Sequence, residues 1–328
     1  MEIPIGVIQI ARDIESMKIR GAGKIARAAA EAMIVAGVEY NGPRNINDFK
    51  GYVARVAKLL ISTRPSAVSL PNAVIYVMAQ LRNKSSYEEA KESLISAAKN
   101  FIRNSEDAVR KISEFGAKRI RDGSVVLTHC HSSAAVEVIV NGYKQGRVVK
   151  VYSTETRPFL QGRLTASHLI KCGVPTVQIP DSATRYIMHE VDYVVVGADT
   201  VTSNGAIVNK IGTSQVALAA KEARTRVYVA AESYKFSPMT LIGELVKIEY
   251  RSPEEIVPRE WLNKHPEVRV LNPVFDVTPP EYVDAIITEF GVLPPQASAL
   301  ILIDKLGWTL ETIKYSEDIV SNLEKIIG

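Results

Sequence analysis

Residues 124–154 read SVVLTHCHSSAAVEVIVNGYKQGRVVKVYST. Two valine-rich runs, SVVLTH and VVKVYST, flank a stretch whose apolar residues keep helical spacing. A strand that is apolar nearly throughout has no polar face to give to water. Both of its faces must be covered, which βαβ units in a parallel sheet achieve. The texture recurs in TVQIP, DYVVVGA and RVYVAAE, again separated by helical patterns. An α/β fold follows, with a Rossmann-like parallel-sheet domain over residues 119–328.

In open α/β sheets ligands bind outside the carboxyl ends of the strands. The first run leads into Cys130, His131 and Ser132, and the second into Glu155, Thr156 and Arg157. TVQIP leads into Asp181 and Ser182, DYVVVGA into Asp199, and RVYVAAE through Glu232 to Lys235. Five strand ends thus bring polar groups to one rim. That is an active-site pattern, although acids at strand ends also cap helices.

Upstream the period changes to that of helices. Ile3, Val7, Ile10, Ile14 and Met17 lie on one helical face, and IARAAAEAMIVAG is an alanine-rich helix ending at Gly37. FKGYVARVAKLLIST repeats the pattern until Pro65 stops it. Residues from Tyr87 to Phe115 predict one or two further helices. An N-terminal helical domain over 1–118 precedes the sheet domain, with GAKRIRDG as the joint. The proline-rich tail, NPVFDVTPP and GVLPP, is expected to close over or beside the sheet.

Bulk composition narrows the function. At 328 residues the chain can bury a sizeable core, and the length favours two domains. Its net charge of +4, from 40 basic and 36 acidic residues, is spread without a Lys/Arg block. Nucleic-acid binding would show a clustered basic stripe. No apolar run approaches the ~20 residues of a membrane span. The opening MEIPIGVIQIARDIE lacks a secretory cleavage pattern. Two cysteines, Cys130 and Cys172, build no disulfide framework, so a cytoplasmic protein is expected. No His, Cys or carboxylate cluster has metal-ligand spacing, and no metal or cofactor is expected.

Cys130 stands between His129 and His131 at a strand-to-helix junction. It reads either as a small buried cysteine or as a thiol acidified by the helix N-terminus and the imidazoles, usable as base or nucleophile. Asp199 either caps the turn after its strand or, poised at an apolar strand end, has a raised pKa and acts as a general acid. The loop after it offers Asn204, Gly205, Asn209, Lys210 and Gly212, a mixture suited to phosphate or hydroxyl groups. RGAGKIA, residues 20–26, lacks the preceding strand of a dinucleotide fingerprint and the spacing of a P-loop. It reads as a turn opening a helix whose free N–H groups attract anions, or as a plain interhelical turn. Arg64 precedes proline in extended backbone and suits bidentate phosphate contact or an ion pair.

RGAGKIA, TRPSAVSLPN, THCHSSAA, TETRPFLQGR, VGADTVTSNGAIVNKIGT and AAESYKF, in that order, resemble one superfamily across nearly the whole chain. It comprises methylthioribose-1-phosphate isomerase, ribose-1,5-bisphosphate isomerase and the regulatory subunits of translation initiation factor 2B. THCHS, TETRP and FDVTPPEYVD make the sequence most similar to the archaeal ribose-bisphosphate branch. The resemblance implies conversion of α-D-ribose 1,5-bisphosphate to ribulose 1,5-bisphosphate in nucleotide salvage, by a homo-oligomer built as a hexamer, a trimer of dimers. It implies Cys130 as proton acceptor and Asp199 as proton donor. It implies substrate contacts from Arg20, Gly21, Ala22, Gly23, Arg64, Ser132, Ser133, Asn209, Lys210 and Lys235. Ser133 falls where relatives often carry lysine. A non-catalytic regulatory subunit and a methylthioribose-1-phosphate isomerase remain the alternatives. The former usually lacks the cysteine and the aspartate, both kept here.

Overall fold

The computed structural model describes residues 2–64 and 67–305. Two compact units divide them: residues 2–108, 233–244 and 300–305 in one, 109–232 and 245–299 in the other. The division lies ten residues before the boundary expected at 118/119, and it moves a segment that follows the sheet strands into the helical unit.

The helical unit contains α1 (Ile5–Glu15), α2 (Ala22–Val38), α3 (Ile46–Thr63), α4 (Ser69–Ala79) and the first part of α5 (Tyr87–Ala117). α1, α2, α3 and α5 follow their sequence patterns, whereas α4, with Pro71 in its first turn, was not expected. α2 buries six alanines between Ala26 and Ala36, and such small side chains let it pack against α1 and α4. α3 begins at Asn45, whose side-chain oxygen accepts the Asp48 N–H at 2.9 Å. Pro65, expected to end α3, lies outside the described residues. The 87–115 stretch forms one helix because it holds no proline and no glycine before Gly116, and Glu88 and Glu89 favour its N-terminal dipole. Phe49, Tyr52, Met33, Leu60, Leu70 and Leu94 fill the core. Residues 233–244 belong here because Asn72 donates from its amide to the carbonyls of Tyr234 and Phe236, both at 2.9 Å.

The second unit is α/β. β1 (Ser124–Thr128), α6 (Ser133–Lys144), β2 (Val148–Thr154), α7 (Gln161–Lys171) and β3 (Thr176–Ile179) alternate as the pattern predicts. α8 (Thr184–Ile187) and β4 (Tyr193–Gly197) follow, then a short excursion through β5 (Thr200–Val201) and β6 (Ile207–Lys210). After α9 (Thr213–Ala223) come β7 (Arg226–Ala230), β8 (Phe275–Thr278), β9 (Ala285–Thr288) and β10 (Gly291–Leu293). The main sheet runs β10-β9-β7-β4-β1-β2-β3. Its strands are parallel except β10, which is antiparallel to β9. The strand order reverses direction between β1 and β4.

Two sequence expectations need correction. The stretch after Asp199 is not all loop: β5, β6 and β8 form an antiparallel sheet, with Asn209 and Lys210 on its middle strand. The proline-rich tail does not merely cover the sheet; its 285–293 portion extends the sheet as β9 and β10. These strands are only three or four residues long, too short for periodicity to declare them.

β4 is buried at every position, so its two faces are equally apolar. Its register has another source. Asp192 donates its N–H to the Val125 carbonyl while its carboxylate accepts the Val125 N–H, each at 2.9 Å. Asp284, before β9, holds Val227 of β7 in the same way, at 2.9 and 2.8 Å. No helix among the described residues is long and apolar enough to cross a membrane.

Candidate active site

Cys130 follows β1 and Asp199 follows β4, the neighbouring strands between which the sheet order reverses. Such a switch point opens a crevice at the carboxyl end of the sheet. Ser132 caps α6, its hydroxyl accepting the Ala135 N–H at 3.3 Å. A Cβ on Gly197, the last residue of β4, would lie 2.4 Å from the Ser132 side chain, so only glycine lets the two strand ends approach so closely. Ser133 is exposed beside it.

Asp199 sits in the β4–β5 turn and donates its N–H to Val208 of β6 at 3.0 Å. Lys210, at the end of β6, is buried, with its ammonium 5.1 Å from the centre of the Phe275 ring. Burial pulls its pKa below the usual value, while the neighbouring charges of Cys130 and Asp199 oppose that shift. Asn209 is also buried and donates to the Thr213 hydroxyl at 3.0 Å. Cys130, Ser132, Asp199, Asn209 and Lys210 therefore belong to one unit and one end of the sheet. Arg251, which the sequence did not single out, adds positive charge near Lys210 and pairs with Glu249 at 2.9 Å.

The thiol departs from expectation. Desolvation pushes Cys130 up to about 11; Lys210 and the His131 N–H pull it down, and the charges of Asp199 and Asp181 push it further up. The imidazoles do not acidify it as expected. His129 is buried, burial lowers its pKa, and its two ring nitrogens face Thr154 at 2.6 Å and the Ile211 carbonyl at 2.8 Å. A neutral ring turned away supplies no positive charge to a thiolate.

The remaining candidates are in the helical unit. Gly21, at φ +93, is the N-cap of α2, a left-handed conformation open to glycine. The Ala22 carbonyl accepts the Ser69 hydroxyl at 3.0 Å, and Gly23 lies in the first turn of α2. Arg20 is exposed, Arg64 half-buried at the end of α3, and Lys235 buried in a single 3-10 turn (Ser233–Lys235).

The residues that organise the Cys130 turn were less legible. Thr156 accepts the Cys130 N–H at 2.9 Å, and Asp181 accepts the Thr156 and Arg157 N–H groups at 2.8 and 2.7 Å. Both follow strands, and position was the only sequence signal they gave. Among the described residues no group of three His, Cys, Asp or Glu side chains is placed to hold a metal.

Asp276 of β8 accepts the Gly212 and Ser214 N–H groups at the start of α9, the closest at 2.8 Å. Burial outweighs these bonds and raises its carboxyl from 3.8 to about 6. The fold therefore favours its neutral form. That contribution to stability is complete below pH 3.8 and is lost as pH rises through about 6. Asp276→Asn, fixed neutral, should remove this slope. Urea unfolding at pH 4.5 and 7.5 should show the parent losing on the order of 2 kcal/mol more than the variant over that interval.

The profile of the Initiation factor 2 subunit family matches residues 18–295. The ribose 1,5-bisphosphate isomerase of Thermococcus kodakarensis is 50% identical over 318 residues, covering 95% of this chain and 97% of that protein. Among solved structures, the Pyrococcus horikoshii OT3 translation initiation factor eIF-2B superposes with a TM-score of 0.76 at 32% identity, covering 89% of this chain and 98% of its own. The 5-methylthioribose 1-phosphate isomerase of the same organism gives 0.74 at 29% identity, covering 92% and 88%.

Proposed function

The chain belongs to the Initiation factor 2 subunit family, and on that footing we propose that it is a sugar-phosphate isomerase converting α-D-ribose 1,5-bisphosphate to D-ribulose 1,5-bisphosphate. The observation that carries this reading is the 50% identity, over nearly all of both chains, to an enzyme named for that substrate. Cys130 and Asp199 at the switch point, with Lys210 at the end of β6, support an enzyme over a regulatory subunit.

The chemistry suits these groups. Phosphate on the anomeric carbon prevents spontaneous ring opening to an aldehyde. Cys130 as thiolate takes the C2 proton, and the C2–H electrons form the C1–C2 double bond. The bond from C1 to the ring oxygen breaks, and Asp199 protonates that oxygen. The resulting enol phosphate receives the Cys130 proton at C1 and returns its O2 proton to Asp199, giving the ketose and the starting enzyme. The two roles reinforce each other. A protonated Asp199 no longer adds its negative charge to those that push the thiol upward, so the proton donor also eases formation of the base. Within the sheet unit, Lys210, Asn209 and Ser132 offer a cation and polar groups for phosphate; the helical unit, taken by itself, offers the cations and N–H groups of residues 20–23, Arg64 and Lys235. The reading extends to a cytoplasmic homo-oligomer, a hexamer built as a trimer of dimers, serving nucleotide salvage.

Purified protein, treated exhaustively with chelator, should convert ribose 1,5-bisphosphate and leave methylthioribose 1-phosphate largely unreacted, followed by phosphorus NMR of the products. Turnover of the monophosphate alone would transfer the assignment to that substrate. Turnover of neither would favour the regulatory reading, and activity restored only by a divalent ion would remove the metal-free scheme.

A further inference from the structure

Cys130 has φ +67 and Thr156 φ +61, left-handed conformations that cost a non-glycine residue on the order of 1–3 kcal/mol unless its surroundings hold it. The hydrogen bonds that hold Cys130 have a fixed direction. The Ile211 carbonyl can only accept, so His129 carries its proton on Nε2. With the ring neutral, Nδ1 accepts from the Thr154 hydroxyl at 2.6 Å. Thr154 has then spent its proton, so Thr156 donates to Thr154, 3.3 Å away at the hydroxyl and 3.5 Å at the carbonyl. Thr156 in turn accepts the Cys130 N–H. On the other side, Thr165 donates to the Cys130 carbonyl at 2.7 Å, so His131 Nδ1 must donate to Thr165.

This series of hydrogen bonds ends at Ile211, next to Lys210. Gly212, at φ +101, presses against the His129 ring so closely that a Cβ would come within 2.9 Å of it. We propose that His129 is a positioning residue for Cys130: through Thr154 and Thr156 it ties the Cys130 turn to the β6–α9 turn that follows Lys210. The charged groups facing it are Asp181, 3.8 Å from Nδ1, and Lys210. Its effect on turnover rests on the isomerase reading; the tie itself does not.

Iodoacetamide alkylation of the native full chain, followed by mass spectrometry across pH, reads Cys130 with Cys172 as internal reference. In the parent, Cys130 should react slowly until strongly alkaline pH. His129→Leu removes both ring bonds, releases the turn after Lys210 and opens the half-buried thiol further to water. Cys130 should then alkylate at least about tenfold faster at pH 8, its apparent pKa falling toward the ordinary value of about 8.5, with Cys172 unchanged. His129→Gln, which keeps an N–H donor for Ile211, should recover most of the parental profile, and turnover should follow the same order. An unchanged Cys130 profile in His129→Leu would overturn the proposal, as would equal acceleration of both cysteines, which signals general loosening. If His129→Leu does not fold, Thr154→Val against Thr154→Ser gives the same contrast, hydroxyl lost against hydroxyl kept. A Cys130 response in a protein that isomerises nothing would preserve the tie and sink the isomerase reading instead.

Discussion

Cys130→Ser should lower turnover of ribose 1,5-bisphosphate by about 10²–10⁴-fold, the usual weight of a positioned general base. The variant keeps the side chain's approximate size and opens no cavity, so thermal unfolding should match the parent. Its hydroxyl stays protonated throughout the accessible pH range. In the parent, a thiol raised to about 11 is mostly protonated at neutral pH. The reactive form, however, needs the thiolate and a protonated Asp199 together, so kcat/KM should be bell-shaped in pH, and Cys130→Ser should lack the limb set by the thiol. Asp199→Asn keeps the shape but has no proton to give the ring oxygen, so ring opening fails instead. Because both groups serve one step, the double variant should lose little more than the worse single one. Single-turnover kinetics with C2-deuterated substrate checks the assignment: a Cys130→Ser protein turning over near the parental rate would return the cysteine to a packing role.

Gly162→Ala should be among the most damaging single-methyl additions to this chain. A Cβ there would sit 1.6 Å from the Thr154 carbonyl oxygen and 3.1 Å from the Glu155 carbonyl carbon. These are backbone atoms at the end of β2, so no side chain can swing aside. Gly162 also donates its N–H to Glu155 and accepts the Ser153 hydroxyl at 3.1 Å, which fastens the first turn of α7 to that strand end. Making room means lifting α7 from β2, beyond the ~1–3 kcal/mol usual for overpacking. Thr154 would move with the strand end, and activity should fall with stability. Gly51, inside α3, is the control. A Cβ there meets nothing within 4 Å, so Gly51→Ala should stabilise by about 0.4–1 kcal/mol. Chemical denaturation of the two variants in parallel would decide the matter; equal midpoints would mean that the α7–β2 contact yields easily.

The contrast between those glycines marks where sequence reading stops. Valine-rich strands and alanine-rich helices declared themselves because burial on two faces, or one, leaves a period in the chain. The two-residue β5 and the four-residue β6 and β8 leave none, so Lys210 looked like a loop residue when it ends a strand. Cys130 and Asp199 stood out because each follows a strongly apolar run. Their surroundings did not, since Thr154, Thr156 and Asp181 act through bond direction and distance, which emerge only once three strands lie side by side. The thiol was misjudged for the same reason. Two flanking histidines in sequence suggest nearby positive charge, but His129 faces into the protein and stays neutral. The 233–244 segment, which carries Lys235, belongs to the helical unit through Asn72, a partner more than 160 residues away.

The paired aspartates at the strand entrances shape how this sheet can drift over generations. A strand apolar on both faces would tolerate a slip of one residue without exposing anything oily, because its valines are interchangeable. Asp192 and Asp284 remove that ambiguity by grasping one chosen amide of the adjoining strand. The strand interiors are thereby free to exchange Val, Ile and Leu, while the spacing of Cys130 and Asp199 at the far end is set by the exposed Asp192 carboxylate. Most of the core could be rewritten with Cys130 kept opposite Asp199; losing the Asp192 clasp would misalign the two without touching either.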